Sequence, residues 1–597
     1  MRIKIVLAIF FTIWIALLVR VYYVSIKSNA YYEEIAKQNV VRTEELAPLR
    51  GVILDRHLKP LSVNRLGFSI RLKPQMSLKR NRALLDDEVN FLASVLTDFT
   101  VKEMIKNYLK ADSPYNHDYV DVIDFIPYDK LIPHFAKLAQ RDNLKIELAS
   151  KRHYPHGSLA SHIIGYVGKS NAQDIAEDAT AKLVGFSGKT GIEKYYNAVL
   201  QGVKGEKKTK VTAFNQEIEQ ITKTLPVSND VILTLDLELQ KYITTLFGED
   251  SGAIVVMNAK NGEILAAASF PEYDLNKFVS GISKDEWTVL ANDLNHPFTN
   301  KLVNGLYPPG SVIKMGVGMA MLNTGIISPS TLIESTGTME LGGRLFRDWK
   351  KDGHGMTDYV KAIKESCDDY FYKASLKVGI DNISQFLKKV GFGEKTGIDL
   401  PREFIGIVPS REWKKERFNK GWSQGETLIS SIGQGYFLVT PVQVAKHTAF
   451  LATGNGITPH FIKKINEVPI DFPINVDIIP PEQKRFLKVT REGMYQVANQ
   501  PGGTGFNHLK LRAPIKIAAK TGTAQVVGLS QTEKKRMREE DMEYYHRSHA
   551  WLTTYGPYEN PQYVVTVLVE HGGHGGSEGG PIVSKIYDKL YEMGYIK

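Results

Sequence analysis

The sequence predicts an α+β fold: one antiparallel sheet packed with helices, preceded by an apolar helix and a mixed α/β segment. Three observations carry this. Strand-like runs open the C-terminal half, at VILTL (231–235) and GAIVVMNAKNGEILAAASF (252–270), and others close it, at IKIAAKTGTAQ (515–525), HAWLTTYGP (549–557) and YVVTVLVEHG (563–572). Helical patterns fill 310–460 between them. The first residues form a single long apolar run.

That run is Ile5 to Val19, extended past Arg20 by Val21 to Ile26, and preceded by Arg2 and Lys4. It spans about 22 residues, near the ~20 that cross a bilayer as helix, and Arg20 can snorkel to the headgroups. No A-x-A-like cleavage site follows, which favours an uncleaved anchor over a signal peptide. The basic N-terminus is then cytoplasmic and the bulk exported. The anchor is expected over 1–27, an exported N-terminal domain over 28–225 and a C-terminal domain over 226–597.

Within 28–225, APLRGVILDRHLKPLSVN (47–64) reads as strand, turn, strand. Residues 75–150 are charged and helix-prone, and 205–230 reads as a polar connector. Two apolar runs joined by Asn-Ala-Lys-Asn-Gly at 258–262 predict a hairpin. The charged stretch 528–549 is expected to be a mobile loop, and HGGHGGSEGG (571–580), with His571 and His574, a glycine-rich turn.

A length of 597 residues argues for more than one domain. The net charge of +10 suits an anionic surface or polymer. With no basic run, zinc-finger spacing or basic helix with interleaved aromatics, no nucleic-acid partner is expected. The single cysteine, Cys367, excludes an intrachain disulfide framework. No organic cofactor is expected.

Lys-Thr-Gly occurs three times, at 189–191, 395–397 and 520–522. The first is no P-loop, because Leu183 stands where that motif needs glycine. Only the third ends an alternating strand and continues into Thr523. Upstream, YPPGSVIK places Ser311 and Lys314 three residues apart at a helix start, the chain's one S-x-x-K. A serine hydroxyl needs a base, and a desolvated lysine on the same helical face can be that base. The N-terminus of a helix also favours developing negative charge. The bland alternative is a capping serine beside a surface lysine. Ser366-Cys367-Asp368 lies between two helical patterns and has the same bland reading, an N-cap.

Ser311 to Lys314, Ser366 to Asp368 and Lys520 to Thr523 stand in the order S-x-x-K, S-x-D, K-T-G-T, the second 55 residues after the first and the third 154 after the second. In that order they resemble the set of penicillin-binding proteins and β-lactamases. The chain resembles class B penicillin-binding proteins, most closely the elongation-type penicillin-binding protein 2. RGVILDRHLKPLS (50–62) is similar to a pedestal motif of that family, with His57 and Leu58 where Asn and Gly are usual. YPHGSLASHIIGYVG, GKTGIEKYYN and GQGYFLVTPVQVA also resemble family segments. No glycosyltransferase domain is seen ahead of these, unlike class A.

The resemblance implies a transpeptidase domain of the serine β-lactamase-like type. Ser311 is then the nucleophile and Lys314 its base. Ser366 and Lys520 return a proton to the leaving D-Ala, and the backbone N–H groups of Ser311 and Thr523 form the oxyanion hole. Lys520, Thr521 and Thr523 hold the substrate carboxylate, and Gly522 leaves room for substrate backbone. Asp368 departs from the usual asparagine and is expected to alter proton traffic around Lys314. Implied partners are D-Ala-D-Ala stem peptides, β-lactams, a membrane-embedded glycosyltransferase of the shape and division family and a periplasmic elongation scaffold. A hydrolase and a catalytically silent β-lactam sensor are the rivals. The first lacks an identifiable water-activating carboxylate, and the second contradicts the complete Ser/Lys/Ser/Lys set.

Cys367 has a further reading. With Asp348 and His354 just upstream it supplies a mixed O/N/S set that zinc tolerates. Glu334 is the preferred fourth ligand and Asp352 the alternative. Some elongation-type members of the family are thought to hold zinc at the corresponding positions, and the resemblance to them implies a structural Zn²⁺ here. The alternative is a small buried residue near a glycine-turn histidine.

Overall fold

The computed structural model describes residues 2–27, 41–211, 217–527 and 538–597. These fall into two compact units.

The first unit comprises residues 1–51, 170–186 and 201–229. It holds the apolar helix α1 (Arg2–Tyr22), which continues as a π-helical turn to Lys27. The span Ile3–Lys27 has a mean hydropathy of 2.4, with none of it buried. The unit also holds an antiparallel sheet of Val41–Leu46, Gly205–Val211 and Glu217–Thr224. The stretch expected to be a connector is therefore two paired strands. Every residue of Glu217–Thr224 is exposed, so there is no buried face to impose an apolar alternation that a sequence could display.

The second unit comprises 52–169, 187–200 and 230–597. One of its sheets has seven strands and joins Ile53–Leu54 to Val231–Leu233 as parallel neighbours. The expected strand-turn-strand is present, as Ile53–Leu54 and Pro60–Leu72. At its turn Leu58 adopts φ +64°, a left-handed conformation that strains a branched side chain. The Asp55 carboxylate steadies the turn, accepting from His57 N and Lys59 N at 2.8 Å each. The 75–150 stretch is less helical than expected. Arg82–Val95 and Val101–Ala111 are helices, but Val120–Pro127 and Leu144–His153 are strands. Together they enclose a separate core around Ile70, Leu85, Val89, Tyr108 and Val122.

The main core surrounds the second sheet. It begins with helix α2 (Leu237–Phe247) and the expected hairpin, β1 (Gly252–Asn258) and β2 (Ile264–Phe270). Helices follow: α3 (Lys314–Asn323), α4 (Tyr359–Lys364), α5 (Asp368–Val378), α6 (Pro441–Thr453) and α7 (Lys484–Asn499). The chain then returns to the sheet as β3 (Ala518–Ala524), β4 (His549–Gly556) and β5 (Tyr563–Val569), and ends in α8 (Gly575–Glu592). The order β2-β1-β5-β4-β3 is antiparallel throughout and leaves β3 at an edge. Buried on both faces, β1 and β5 read as continuous apolar runs.

The glycine-rich segment after β5 is a turn at His571, φ +56°, that runs directly into α8. Its glycines serve close packing. A Cβ on Gly575 would lie 2.0 Å from Trp551 O and 2.5 Å from Gly522 O, so only glycine lets α8 rest on the strands. Of the charged loop 528–549, residues 528–537 lie outside the described residues.

Candidate active site

Three segments converge at the edge of β3. The first is the serine turn, a 3-10 turn over Gly310–Ile313 that passes into α3 at Lys314. Side chains three apart eclipse in such a turn, which aligns Ser311 with Lys314. The turn is pinned from behind: Gly310 N donates to Gly433 O at 2.9 Å, and Trp551 Nε1 to Pro308 O at 3.1 Å. Ser311 is half-buried, and its hydroxyl has no hydrogen-bond partner among the described residues.

The second segment carries Ser366 at φ +55°, a conformation that persists only when its surroundings enforce it. The helix after it is capped by Cys367, whose Sγ accepts from Tyr370 N at 3.4 Å. Ser366 is thus not the N-cap, and its hydroxyl is free to face the two lysines. Lys314 Nζ donates to Ser366 O at 2.8 Å, to Ser366 Oγ at 3.4 Å and to Asp368 Oδ1 at 2.6 Å. From β3, Lys520 Nζ donates to Ser366 Oγ at 2.8 Å and to Thr521 O at 2.9 Å.

Both lysines are fully buried. Burial, and next the charge of Lys314, hold Lys520 well below the usual lysine range, while Asp368 pulls it back up. Burial also raises the Asp368 carboxyl, against the pull of Lys314. The arrangement is a continuous hydrogen-bond chain, Lys314–Ser366–Lys520, with a carboxylate on one terminus and a free serine hydroxyl one turn away.

Strand alternation on β3 assigns the rest. Gly522 shares a face with Lys520, but the space above it is not substrate space. A Cβ there would meet Val312 Cγ1 at 3.0 Å, Trp551 Cβ at 3.1 Å and Pro309 O at 3.2 Å. The glycine admits the serine turn, which corrects the expected reason for it. Thr521 lies on the other face, with its Oγ1 2.7 Å from Thr504 Oγ1. Thr523 is half-buried, and its carbonyl accepts from Gln434 Nε2 at 3.2 Å. Neither Thr504 nor Gln434 is singled out as a site residue by the sequence. Pro-Gly-Gly-Thr-Gly reads only as a turn.

The family model of the penicillin-binding protein transpeptidase domain matches residues 252–590, and that of the penicillin-binding protein dimerisation domain residues 45–234. The peptidoglycan D,D-transpeptidase MrdA of Haemophilus influenzae is 36% identical, with 96% of this chain and 88% of the relative covered. Among solved structures, penicillin-binding protein 2 of Helicobacter pylori, in complex with MreC, superposes with a TM-score of 0.86 at 45% identity. That match covers 93% of this chain and 99% of the other. The chain belongs to the class B penicillin-binding proteins of the penicillin-binding protein 2 type. A structure titled as a peptidoglycan synthase complex coordinating polymerization and crosslinking contains a similar chain, with a TM-score of 0.71 at 28% identity and coverage of 99% and 98%.

Beside the lysines, this penicillin-binding protein gathers Asp348, His354 and Cys367, all buried, with donor atoms within 4.8 Å of one another. His354 Nε2 lies 3.1 Å from Asp348 Oδ1, and His354 Nδ1 2.7 Å from Glu365 Oε2. A carboxylate on the outer imidazole nitrogen is the second contact that metal-binding histidines make. Burial pushes the Cys367 thiol up to about 12. Glu334 is not part of the cluster. It is exposed on Ile333–Ser335, where its neighbours face inward, and its carbonyl accepts from Lys373 Nζ at 2.6 Å. Asp352 is also outside it and exposed. Three donors of O, N and S type fit zinc chemistry.

Proposed function

We propose that this protein cross-links peptidoglycan stem peptides by D,D-transpeptidation through an acyl-enzyme on Ser311, in cell-wall elongation and shape maintenance, and that β-lactams acylate the same serine. The observation that carries the reading is Ser366 Oγ accepting from both buried lysines while Ser311 stands uncommitted on the adjoining turn.

Lys314 takes the Ser311 proton as Oγ attacks the penultimate D-Ala carbonyl, and Asp368, 2.6 Å away, stabilises the ammonium that forms. The carbonyl C–N bond then breaks, and a proton passes through Ser366 to the leaving D-Ala amine. An acceptor-stem amine then attacks the ester carbonyl, the carbonyl C–Oγ bond to Ser311 breaks, and the proton shed by the amine returns through Lys314 to Ser311 Oγ. The N–H groups of Ser311 and Thr523 receive the oxyanion, and the Lys520–Thr523 segment binds the terminal carboxylate.

In this reading the chain is anchored in the inner membrane by residues 1–27, with its N-terminus cytoplasmic and the pedestal (28–225) and transpeptidase domain (226–597) periplasmic. Its partners are an elongation scaffold, as the MreC complex of the relative supports, and a membrane glycosyltransferase, as the synthase complex supports. Asp348, His354 and Cys367 would hold a structural Zn²⁺ that fixes the loop beside Ser366, with Glu365 orienting His354.

The test is mass spectrometry of the detergent-purified chain after benzylpenicillin. A long-lived adduct on the Ser311 peptide is expected, and an adduct elsewhere, or none, overturns the assignment. Rapid loss of the adduct would favour a hydrolase.

A further inference from the structure

Thr504 belongs to none of the three motifs, yet it touches two walls of the site. It sits in the turn Pro501–Gly505 that follows α7, held by Gly503 N to Gln500 O at 3.0 Å and Gly505 N to Val497 O at 3.1 Å. From there Thr504 N donates to Lys364 O at 3.3 Å, at the end of α4 and two residues before Ser366. Its hydroxyl meets the Thr521 hydroxyl at 2.7 Å. The turn cannot drift: a Cβ on Gly503 would lie 2.3 Å from Gln496 O, and one on Gly576 would lie 3.0 Å from Thr504 O.

We propose that Thr504 is a positioning residue for recognition of the substrate's terminal carboxylate, acting through Thr521. This deepens the transpeptidase reading and rests on it. A hydroxyl carries one proton and can accept two. Apart from their shared bond, neither threonine hydroxyl has a partner among the described residues. When Thr504 donates to Thr521, the Thr521 proton is left for an outside acceptor. A carboxylate, which only accepts, selects that arrangement, and each bond polarises the next. Lys520 Nζ is fully buried and already donates to Ser366 Oγ and Thr521 O, so at most one of its three N–H groups is left for the carboxylate. The free carboxylate of a D-Ala-D-Ala terminus, or that of a β-lactam, is the group recognised.

The test uses full-length, detergent-solubilised protein and the second-order acylation rates of benzylpenicillin and its methyl ester. For Thr504→Val the acid-to-ester rate ratio should fall about five- to tenfold, the worth of one oriented hydrogen bond. Thr504→Ser should restore it, and Thr504→Val added to Thr521→Val should change nothing further. The ratio does not depend on the fraction of folded protein, so it stays readable if a variant loses stability. Equal slowing of acid and ester, an unchanged ratio, or failure of Thr504→Ser to restore it would overturn the proposal. Absence of acylation in the wild type would instead strike the transpeptidase reading itself.

Discussion

Asp368→Asn keeps the size of the side chain and removes one charge from the lysine pair. Links of 2.8, 3.4 and 2.6 Å run from Lys520 Nζ through Ser366 Oγ and Lys314 Nζ to Asp368 Oδ1 and keep the carboxylate within about 9 Å of Lys520. At that distance and an effective dielectric of ~20, a unit charge contributes about 2 kcal/mol, or somewhat more than ~1 pKa unit. Asp368 raises Lys520, so its loss lowers Lys520 further below the lysine range. The ammonium form of Lys520 then gives way at lower pH. If that ammonium returns the proton to the leaving amine, the alkaline limb of the acylation profile moves to lower pH by about one unit. Second-order rates with benzylpenicillin, measured from neutral to alkaline pH on both proteins, report the shift. An alkaline limb that stays in place or moves up would refute the electrostatic link.

Ser366→Ala removes the hydroxyl shared by the two lysines. A hydrogen bond to a charged group is worth about 1.5–3 kcal/mol, so acylation should fall roughly ten- to hundredfold, and a smaller loss would take Ser366 out of the proton path. Gly522→Ala forces a methyl group against Val312 and Trp551. Overpacking of about 1–3 kcal/mol should lower both melting temperature and acylation rate, and unchanged values of both would show that the space is open. Cys367→Ser should take the metal content of the purified chain from roughly one zinc to none, with a lower melting temperature; a metal-free wild type would end the zinc reading.

Elements dictated by burial or by short-range turns leave a mark on the sequence. The continuous apolar runs of β1 and β5 and the Asn-Ala-Lys-Asn-Gly hairpin were legible because they are dictated locally. The Ser311, Ser366 and Lys520 segments were legible from order and spacing, although no single motif discriminated. Glu217–Thr224 was not, because a strand exposed on both faces carries no alternation. Nor was the reason for Gly522, which depends on Val312 and Pro309 from a segment some two hundred residues away in sequence. Glu334 was misjudged for a related reason. In a strand, only every second residue faces the cluster, and the inward one here is Ser335, whose Oγ accepts from His354 N at 3.1 Å.

The density of commitments between Glu365 and Asp369 explains the left-handed backbone at Ser366. Glu365 orients His354, Ser366 bridges two lysines, and Cys367 caps α5 and faces Asp348 and His354. Asp368 pairs with Lys314, and Asp369 Oδ2 accepts from Ser335 Oγ, Thr336 N and Gly337 N at 3.0, 3.0 and 2.8 Å. Five consecutive residues thus point at different partners, and a regular helical start could not aim them all. Turning Ser366 into the left-handed region separates the Ser366 hydroxyl from the Cys367 thiol. A residue of that kind costs on the order of 1–3 kcal/mol, and the contacts on either side hold it in place. Loosening the Asp348–His354–Cys367 cluster should therefore be felt first at Ser366, as a loss of acylation rate before any loss of fold.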